Sequence, residues 1–425
     1  LFVNSHKLVD QDTTTAKLDR KKWSDLVAAN GADQISDFVA LYEPNVLTAR
    51  TFLDADQNPR LSVSINLDGE ISGISTFAVD ANGNILYVNS HKLVDQDTTT
   101  AKLDRKKWSD LVAQNGANEV GDFDALYEKN VLTARTFLDL EQNPKLSVTI
   151  NPEGEIAGIS SFAVGASGDI LYVNSHKLKD QDAQTAKLDR KKWNDLVSQN
   201  GADQIGDFTA LYEADVLTAR TFLDVDQNPQ LAVAINAEGD VSGISTFAVN
   251  ERGEIVYVNS HKLVDQNSKT ARIDRKKWAD VVLGNGGDEV KDFDALYEKD
   301  VLTARTFLDA DQNPQMSVSI NGAGEISGVS TFAVDANGNI LFVNSHQLKD
   351  QDTRTAKMDR KQWSDLVSQN GADQVSDFTA LYEANVLTAR TFLDADQNPQ
   401  LSVSINPQGE ISGISGFAIN ANGDI

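Results

Sequence analysis

The sequence contains no cysteine. Disulfides are excluded, and with one His per repeat there is too little soft-ligand chemistry for a zinc site. Basic residues are in the minority: 38 Lys plus Arg stand against 63 Asp plus Glu, for a net charge of −25. That balance disfavours nucleic-acid binding, which rests on phosphate neutralisation by cations. It favours solubility and self-repulsion. No apolar run approaches the roughly 20 residues that cross a bilayer as a helix. Neither a Gly-x-Ser-x-Gly elbow, nor a His-Glu-x-x-His pair, nor a phosphate loop occurs, so nothing points to an enzyme. Gly/Ser-rich and Pro-rich spacers are also missing, which leaves little to bend between segments.

What the chain does have is repetition. Trp23, Trp108, Trp193, Trp278 and Trp363 are spaced by 85 residues, as are His6, His91, His176, His261 and His346. The chain is therefore five repeats, over residues 1–85, 86–170, 171–255, 256–340 and 341–425. "VLTARTFLD" is unchanged in all five, at Val46, Val131, Val216, Val301 and Val386. The likeness marks recent duplication, so identity between copies is weak evidence of function.

Within one unit, "NPRLSVSIN" alternates apolar and polar residues through Leu61, Val63 and Ile65, the period of a half-buried strand. "ISGISTFAVD" and "ILYVNSHKL" follow, separated by turns with Gly69 and with Asn82-Gly83. These predict a three-stranded antiparallel meander. Between meanders, "LDRKKWSDLVAANG" puts Trp23, Leu26 and Val27 on one helical face and stops at Asn30-Gly31. "DQISDFVALYE" and "NVLTARTFLD" read as two further short helices. The expected fold class is an α+β tandem repeat, three short helices plus a three-stranded meander per unit, with a hairpin shared across each repeat boundary. The exposed meander edge is expected at "LSVSIN" and its equivalents from Leu146, Leu231, Met316 and Leu401, ready to pair with another chain.

Two acidic clusters suit calcium. "LDADQNP" places Asp54, Asp56 and Asn58 at the 1, 3, 5 spacing of a calcium loop. The copies are Asp139, Glu141 and Asn143; Asp224, Asp226 and Asn228; Asp309, Asp311 and Asn313; and Asp394, Asp396 and Asn398. Position six is Pro59 and position twelve Ile65, so the bidentate Glu of an EF-hand is missing. An Asx turn that ends an element is the plainer reading. "DQDTTTAKLD" adds Asp10, Asp12 and Asp19, which serve equally as helix caps. His6 reads as a hydrogen-bonded structural residue and Trp23 as core. Arg50, inside an apolar segment, needs a partner, with Asp19 and Asp54 as candidates.

"FAVDANGNILYVN" resembles the first hairpin of PAS and Cache sensor domains, with a strand, an Asp-x-x-Gly turn and a second strand ahead of helices. No ligand residue carries over from that resemblance. The repetition, acidity and lack of cysteine are together similar to large repetitive bacterial surface proteins: adhesin stalks, S-layer chains and extracellular filaments. That resemblance implies a secreted or cell-surface structural protein, non-enzymatic, that self-associates into an oligomer or filament. The alternative is a multivalent sensor-like or carbohydrate-binding array. Leu1 is not an initiator Met, and the chain opens and closes inside a hairpin. The expectation is a window cut from a longer array, or else a closed five-unit ring in which Leu1–Leu8 pairs with Phe417–Ile425.

Overall fold

A computed structural model describes residues 1–9, 27–29, 34, 36, 38–66, 68–96, 103–180, 190–250, 253–265, 275–335, 338–350, 360–394, 397–406 and 408–417. Twenty strands follow one another in a single antiparallel sheet, each paired with its neighbours in sequence. In the first unit they are β1 (Phe2–Leu8), β2 (Tyr42–Leu53), β3 (Pro59–Ile65) and β4 (Ile71–Val79). Strand β5 (Ile85–Leu93) then leads through helix α1 (Trp108–Asn115) to β6 (Tyr127–Leu138), β7 (Pro144–Ile150), β8 (Ile156–Val164) and β9 (Ile170–Leu178). The third unit supplies α2 (Trp193–Asn200), β10 (Tyr212–Leu223), β11 (Pro229–Ile235), β12 (Val241–Val249) and β13 (Ile255–Leu263). The fourth supplies α3 (Trp278–Asn285), β14 (Tyr297–Leu308), β15 (Pro314–Ile320), β16 (Ile326–Val334) and β17 (Ile340–Leu348). Helix α4 (Trp363–Asn370) and strands β18 (Tyr382–Leu393), β19 (Pro399–Ile405) and β20 (Ile411–Gly416) complete the series.

The α+β class is thereby corrected. The three strands of the meander lie where their alternation puts them, but "VLTARTFLD" is a fourth strand and not a helix. Val46, Thr48, Thr51 and Phe52 favour an extended backbone. Burial also follows a period of two, with Arg50 and Phe52 buried and Thr51 turned to the opposite face. The segment is apolar at both parities, which hides that period. "DQISDFVALYE" is likewise no α-helix: its second-unit equivalent is a short 3-10 turn, Val120–Phe123, followed at once by β6. Among the described residues only the Trp-bearing segment forms an α-helix, stopped in the second unit by Gly116 at φ 85°.

The insert between β5 and β6 packs on the strands of the unit before it. Leu111, Ala117, Phe123, Leu126 and Tyr127 close a core with Phe52, Leu61, Val63, Ile71 and Ile74. The helix carries no side-chain cap. Its first amide, on Trp108, donates to the carbonyl of Gly69 at 2.8 Å, and Ile71 N–H donates to Lys106 at 2.9 Å. The lysine at the helix start is therefore part of a short antiparallel backbone bridge, Glu70 to Lys107, and in the next two copies the equivalent pairs, Glu155 with Lys192 and Asp240 with Lys277, also meet as ion pairs at 3.2 and 2.8 Å. The same cluster recurs down the chain, with Trp193 and Phe208 in the next copy. Trp108 stacks on Phe123 at 6.0 Å, as expected of a core residue.

The "LSVSIN" strands are interior to the sheet. β3 pairs with β2 on one side and β4 on the other, and β7, β11, β15 and β19 are flanked in the same way. They offer no free edge. Among the described residues β1 pairs with β2 and β20 with β19, so the described strands form a strip. Residues 418–425 of the proposed ring closure lie outside the described residues.

Candidate functional site

Two arrangements hold the strip together, a latch between neighbouring units and a seam between distant ones. The latch centres on the Arg of "VLTARTFLD". Arg135, 8% exposed, donates from Nε to Asn89 Oδ1 at 2.7 Å and from Nη1 to the Ala202 carbonyl at 2.6 Å. Its guanidinium lies between the Tyr87 ring, at 3.9 Å, and the Trp193 ring, at 4.9 Å. Asn89 and Tyr87 come from the preceding strand, Trp193 and Ala202 from the following insert. One side chain on β6 thus ties β5 and the α2 insert to its own strand by hydrogen bonds and cation–π contact. Arg50, Arg220 and Arg305 repeat it, on Ala117, Gly287 and Ala372 carbonyls. Burial lowers the pKa of Arg50, Arg135 and Arg305 from the usual arginine range.

Of the two expected carboxylate partners, Asp19 lies outside the described residues. Asp54 does not meet Arg50, whose described partners are Asn4, Ala117 and Asn118. In later copies a carboxylate joins the latch from the insert: Asp288 at 3.0 Å from Arg220 and Asp373 at 3.3 Å from Arg305. The latch was hidden in the sequence because its acceptors lie 46 and 67 residues from the Arg.

The second arrangement arises because the strip coils back on itself. In an antiparallel meander, successive turns fall on alternate edges. The turns that follow β14, β16 and β18 share one edge; the inserts and the turn after β7 share the other. Arg105, in an insert, pairs with Asp311, in the turn between β14 and β15, although 206 residues separate them. Both side chains are 15% exposed, and Glu70 and Asp309 add further negative charge around Arg105. A cleft of about 980 Å³ runs along this seam, lined by Lys92, Arg105 and Arg190 on one side and Asp309, Asp311 and Asn339 on the other. At this seam an acidic turn of the fourth unit therefore meets a basic insert of the second.

The candidate calcium ligands sit in these turns. Asp54 Oδ1 accepts the amides of Asp56 and Asn58, both at 2.9 Å, while Gln57 adopts φ 67°. Asp224 and Asp309 do the same for Asp226 and Asn228, and for Asp311 and Asn313. Asp139 and Asp394 receive the amides of Asn143 and Asn398. Glu141 lies in the equivalent turn, exposed. The first carboxylate of each set thus closes an Asx turn, and Asn66 and Asp80 close the two other hairpins by the same geometry. Among the described residues no three His, Cys, Asp or Glu side chains gather in metal-binding geometry. Asp10, Asp12, Asp19 and Asp396 lie outside the described residues.

His91 donates or accepts through Nε2 with Thr76 Oγ1 at 2.8 Å and packs against the Tyr127 ring at 5.0 Å. His176, His261 and His346 repeat this with Ser161, Thr246 and Thr331. Burial lowers the pKa of all four. This is the structural His role expected from the sequence. Arg105 and Asp311 were missed as partners. The sequence does show a basic "DRKK" and an acidic "DADQN" in every unit, but not which unit's turn meets which unit's insert.

No protein-family model matches the chain, and no curated protein matches it. Solved structures with some likeness include a crystal structure of TcdB2-TccC3-Cdc42, at 10% identity and a TM-score of 0.22 over 87% of this chain. A second, of TcdB2-TccC3, stands at 9% identity and 0.19 over 89%. The chain spans 16% and 23% of the lengths of those two. A porin-like protein from Bacteroides uniformis is 8% identical with a TM-score of 0.13. At such scores these likenesses carry no functional argument. The chain itself is a tandem-repeat protein whose units share one sheet.

Proposed function

We propose that this chain is a structural element of a secreted or cell-surface protein, a coiled β-strip that extends and stiffens its parent assembly without catalytic activity. The observation that carries the reading is the joint at the latch: the inserts of units two to five each complete the core of the unit before, so those units are joined by packing with no linker between them. Repeats of this kind draw their stability from interfaces as much as from single units. The acidic surface and the absence of cysteine suit an extracellular setting.

Single-molecule extension of the whole chain tests this. The expected trace has resolved force peaks, with contour gains of about 300 Å per released unit of 85 residues. Smooth extension with no peaks would overturn the reading. The seam cleft supports a second reading, multivalent ligand binding, since its rims carry opposite charges. Saturable binding of one small charged ligand, abolished by Arg105→Ala, would favour that alternative.

A further inference from the structure

The turn between β3 and β4 and its four equivalents share one geometry and differ in one residue. An Asn opens each turn, and its Oδ1 accepts the amide four residues on. Glu70 donates to Asn66, Glu155 to Asn151, Asp240 to Asn236, Glu325 to Asn321 and Glu410 to Asn406, at 2.8–3.0 Å. The residue after the Asn is Leu67, Pro152, Ala237, Gly322 and Pro407 in turn. At this turn, therefore, the fourth unit alone carries an Asn-Gly pair.

An Asn-Gly pair is chemically labile, because the Gly nitrogen can attack the Asn side-chain carbonyl with no Cβ in its way. Every other Asn-Gly pair among the described residues ties up that nitrogen. Gly116, Gly201, Gly286 and Gly371 donate to Val carbonyls at 2.9 Å, and Gly83 donates to Asp80 at 3.1 Å. Among the described residues the Gly322 amide has no acceptor. Gly322 is exposed, and no heavy atom lies within 4 Å of where a Cβ would stand. Asn321 Oδ1 accepts from both Ala323 and Glu325 at 3.0 Å, and Nδ2 donates to Glu325 Oε2 at 2.9 Å. Negative charge develops on that Oδ1 when its carbon is attacked, so the two amides act on it as an oxyanion hole does.

We propose that Asn321-Gly322 is a site of self-modification by cyclisation and deamidation, which loosens the joint between the fourth unit and α4 as the molecule ages. Hydroxide removes the Gly322 amide proton, and the nitrogen attacks Cγ of Asn321. The N–Cγ bond forms, the Cγ–Nδ2 bond breaks, and ammonia leaves with a proton from water, which restores the hydroxide. Water then opens the succinimide at either carbonyl, to aspartate or isoaspartate at position 321. Isoaspartate adds a methylene to the backbone, and either product sets a new carboxylate beside Glu325. This turn carries the insert of the fifth unit. Trp363 N–H donates to Gly324 at 2.9 Å, Ile326 N–H donates to Lys361 at 2.9 Å, and Glu325 bridges Gln362. The equivalent turns with Pro152 and Pro407 lack the N–H and cannot cyclise.

The test is incubation of the full chain at mildly alkaline pH, read by peptide mass spectrometry and by hydrogen exchange. Conversion at Asn321 is expected to run at least about tenfold faster than at Asn236, Asn285 or Asn370, with none at Asn151 or Asn406. In urea, where the Val carbonyls no longer hold Gly286 and Gly371, Asn285 and Asn370 are expected to match Asn321. Gly322→Pro, which gives this turn the residue of the second and fifth units, is expected to abolish conversion and keep the fold. After incubation the amides of α4 are expected to exchange at least about tenfold faster than before, while those of α2, whose turn carries Pro152, stay unchanged. In incubated Gly322→Pro, α4 is expected to keep its original rate. Conversion at Asn321 no faster than at Asn236, a lead over Asn285 that persists in urea, or α4 exchange unaltered by incubation each overturn the proposal.

Discussion

Replacing Arg135 with Ala separates the latch from general packing. The substitution removes two charge-assisted hydrogen bonds, to Asn89 and the Ala202 carbonyl, and the contact with two aromatic rings. It also leaves a buried carbonyl without its donor. Hydrogen bonds to a charged group contribute about 1.5–3 kcal/mol each, and cation–π contact about 1–2 when desolvated. The desolvation of the guanidinium opposes these and brings the net loss to about 3–4 kcal/mol. Arg390→Ala is the internal reference, because that Arg keeps only Asn344 and Phe342 among the described residues. Its cost is expected near 1 kcal/mol. Hydrogen exchange reads the difference locally, where a single melting temperature would average over five units. In Arg135→Ala, the amides of α2 are expected to exchange about a hundredfold to a thousandfold faster than in the parent chain. Equal costs at Arg135 and Arg390 would falsify the latch as the joint between units.

Exchanging charges across the seam, as Arg105→Asp or Asp311→Arg, is expected to loosen the coil and enlarge the radius of gyration, and the double exchange is expected to restore it; small-angle scattering reports both. The four buried histidines have folded pKa values below that of the unfolded chain, about 6.5. The unfolded state therefore binds more protons below that pH, so their contribution to stability is complete above about 6.5 and is lost as pH falls through the lowered folded values. Thermal unfolding between pH 8 and 5.5 checks the sign: a midpoint that stays flat or rises on acidification refutes it. Calcium offers a separate check on the Asx turns. With Asp54 Oδ1 engaged by two backbone amides, millimolar calcium and chelator are expected to give the same unfolding midpoint, while a rise of several degrees with calcium would instead assign the ion to Asp54, Asp56 and Asn58. Phe123→Ala, at a ring with 0% exposure packed between Phe52 and Trp108, is expected to destabilise by about 3–5 kcal/mol, measured by denaturant titration.

By itself, the sequence determined the elements whose signal is local. The period of 85 residues follows from comparing the chain with itself, and strands β3 to β5, the glycine turns, the stop at Asn115-Gly116 and the structural roles of Trp108 and His91 follow from spacing within about a dozen residues. "VLTARTFLD" escaped that logic because both of its faces are apolar and its Arg is buried; only the neighbouring strands make it extended. "DQISDFVALYE" escaped because in its second-unit counterpart Phe123 and Tyr127 are anchored on the preceding unit and not on a helix of their own. Tertiary structure alone decided where Arg135 finds its partners and how Arg105 meets Asp311. Both depend on how far the sheet has turned when a distant edge arrives. Strand twist and the irregular register at His91–Leu93 accumulate that rotation over many strands, and no local pattern records the sum.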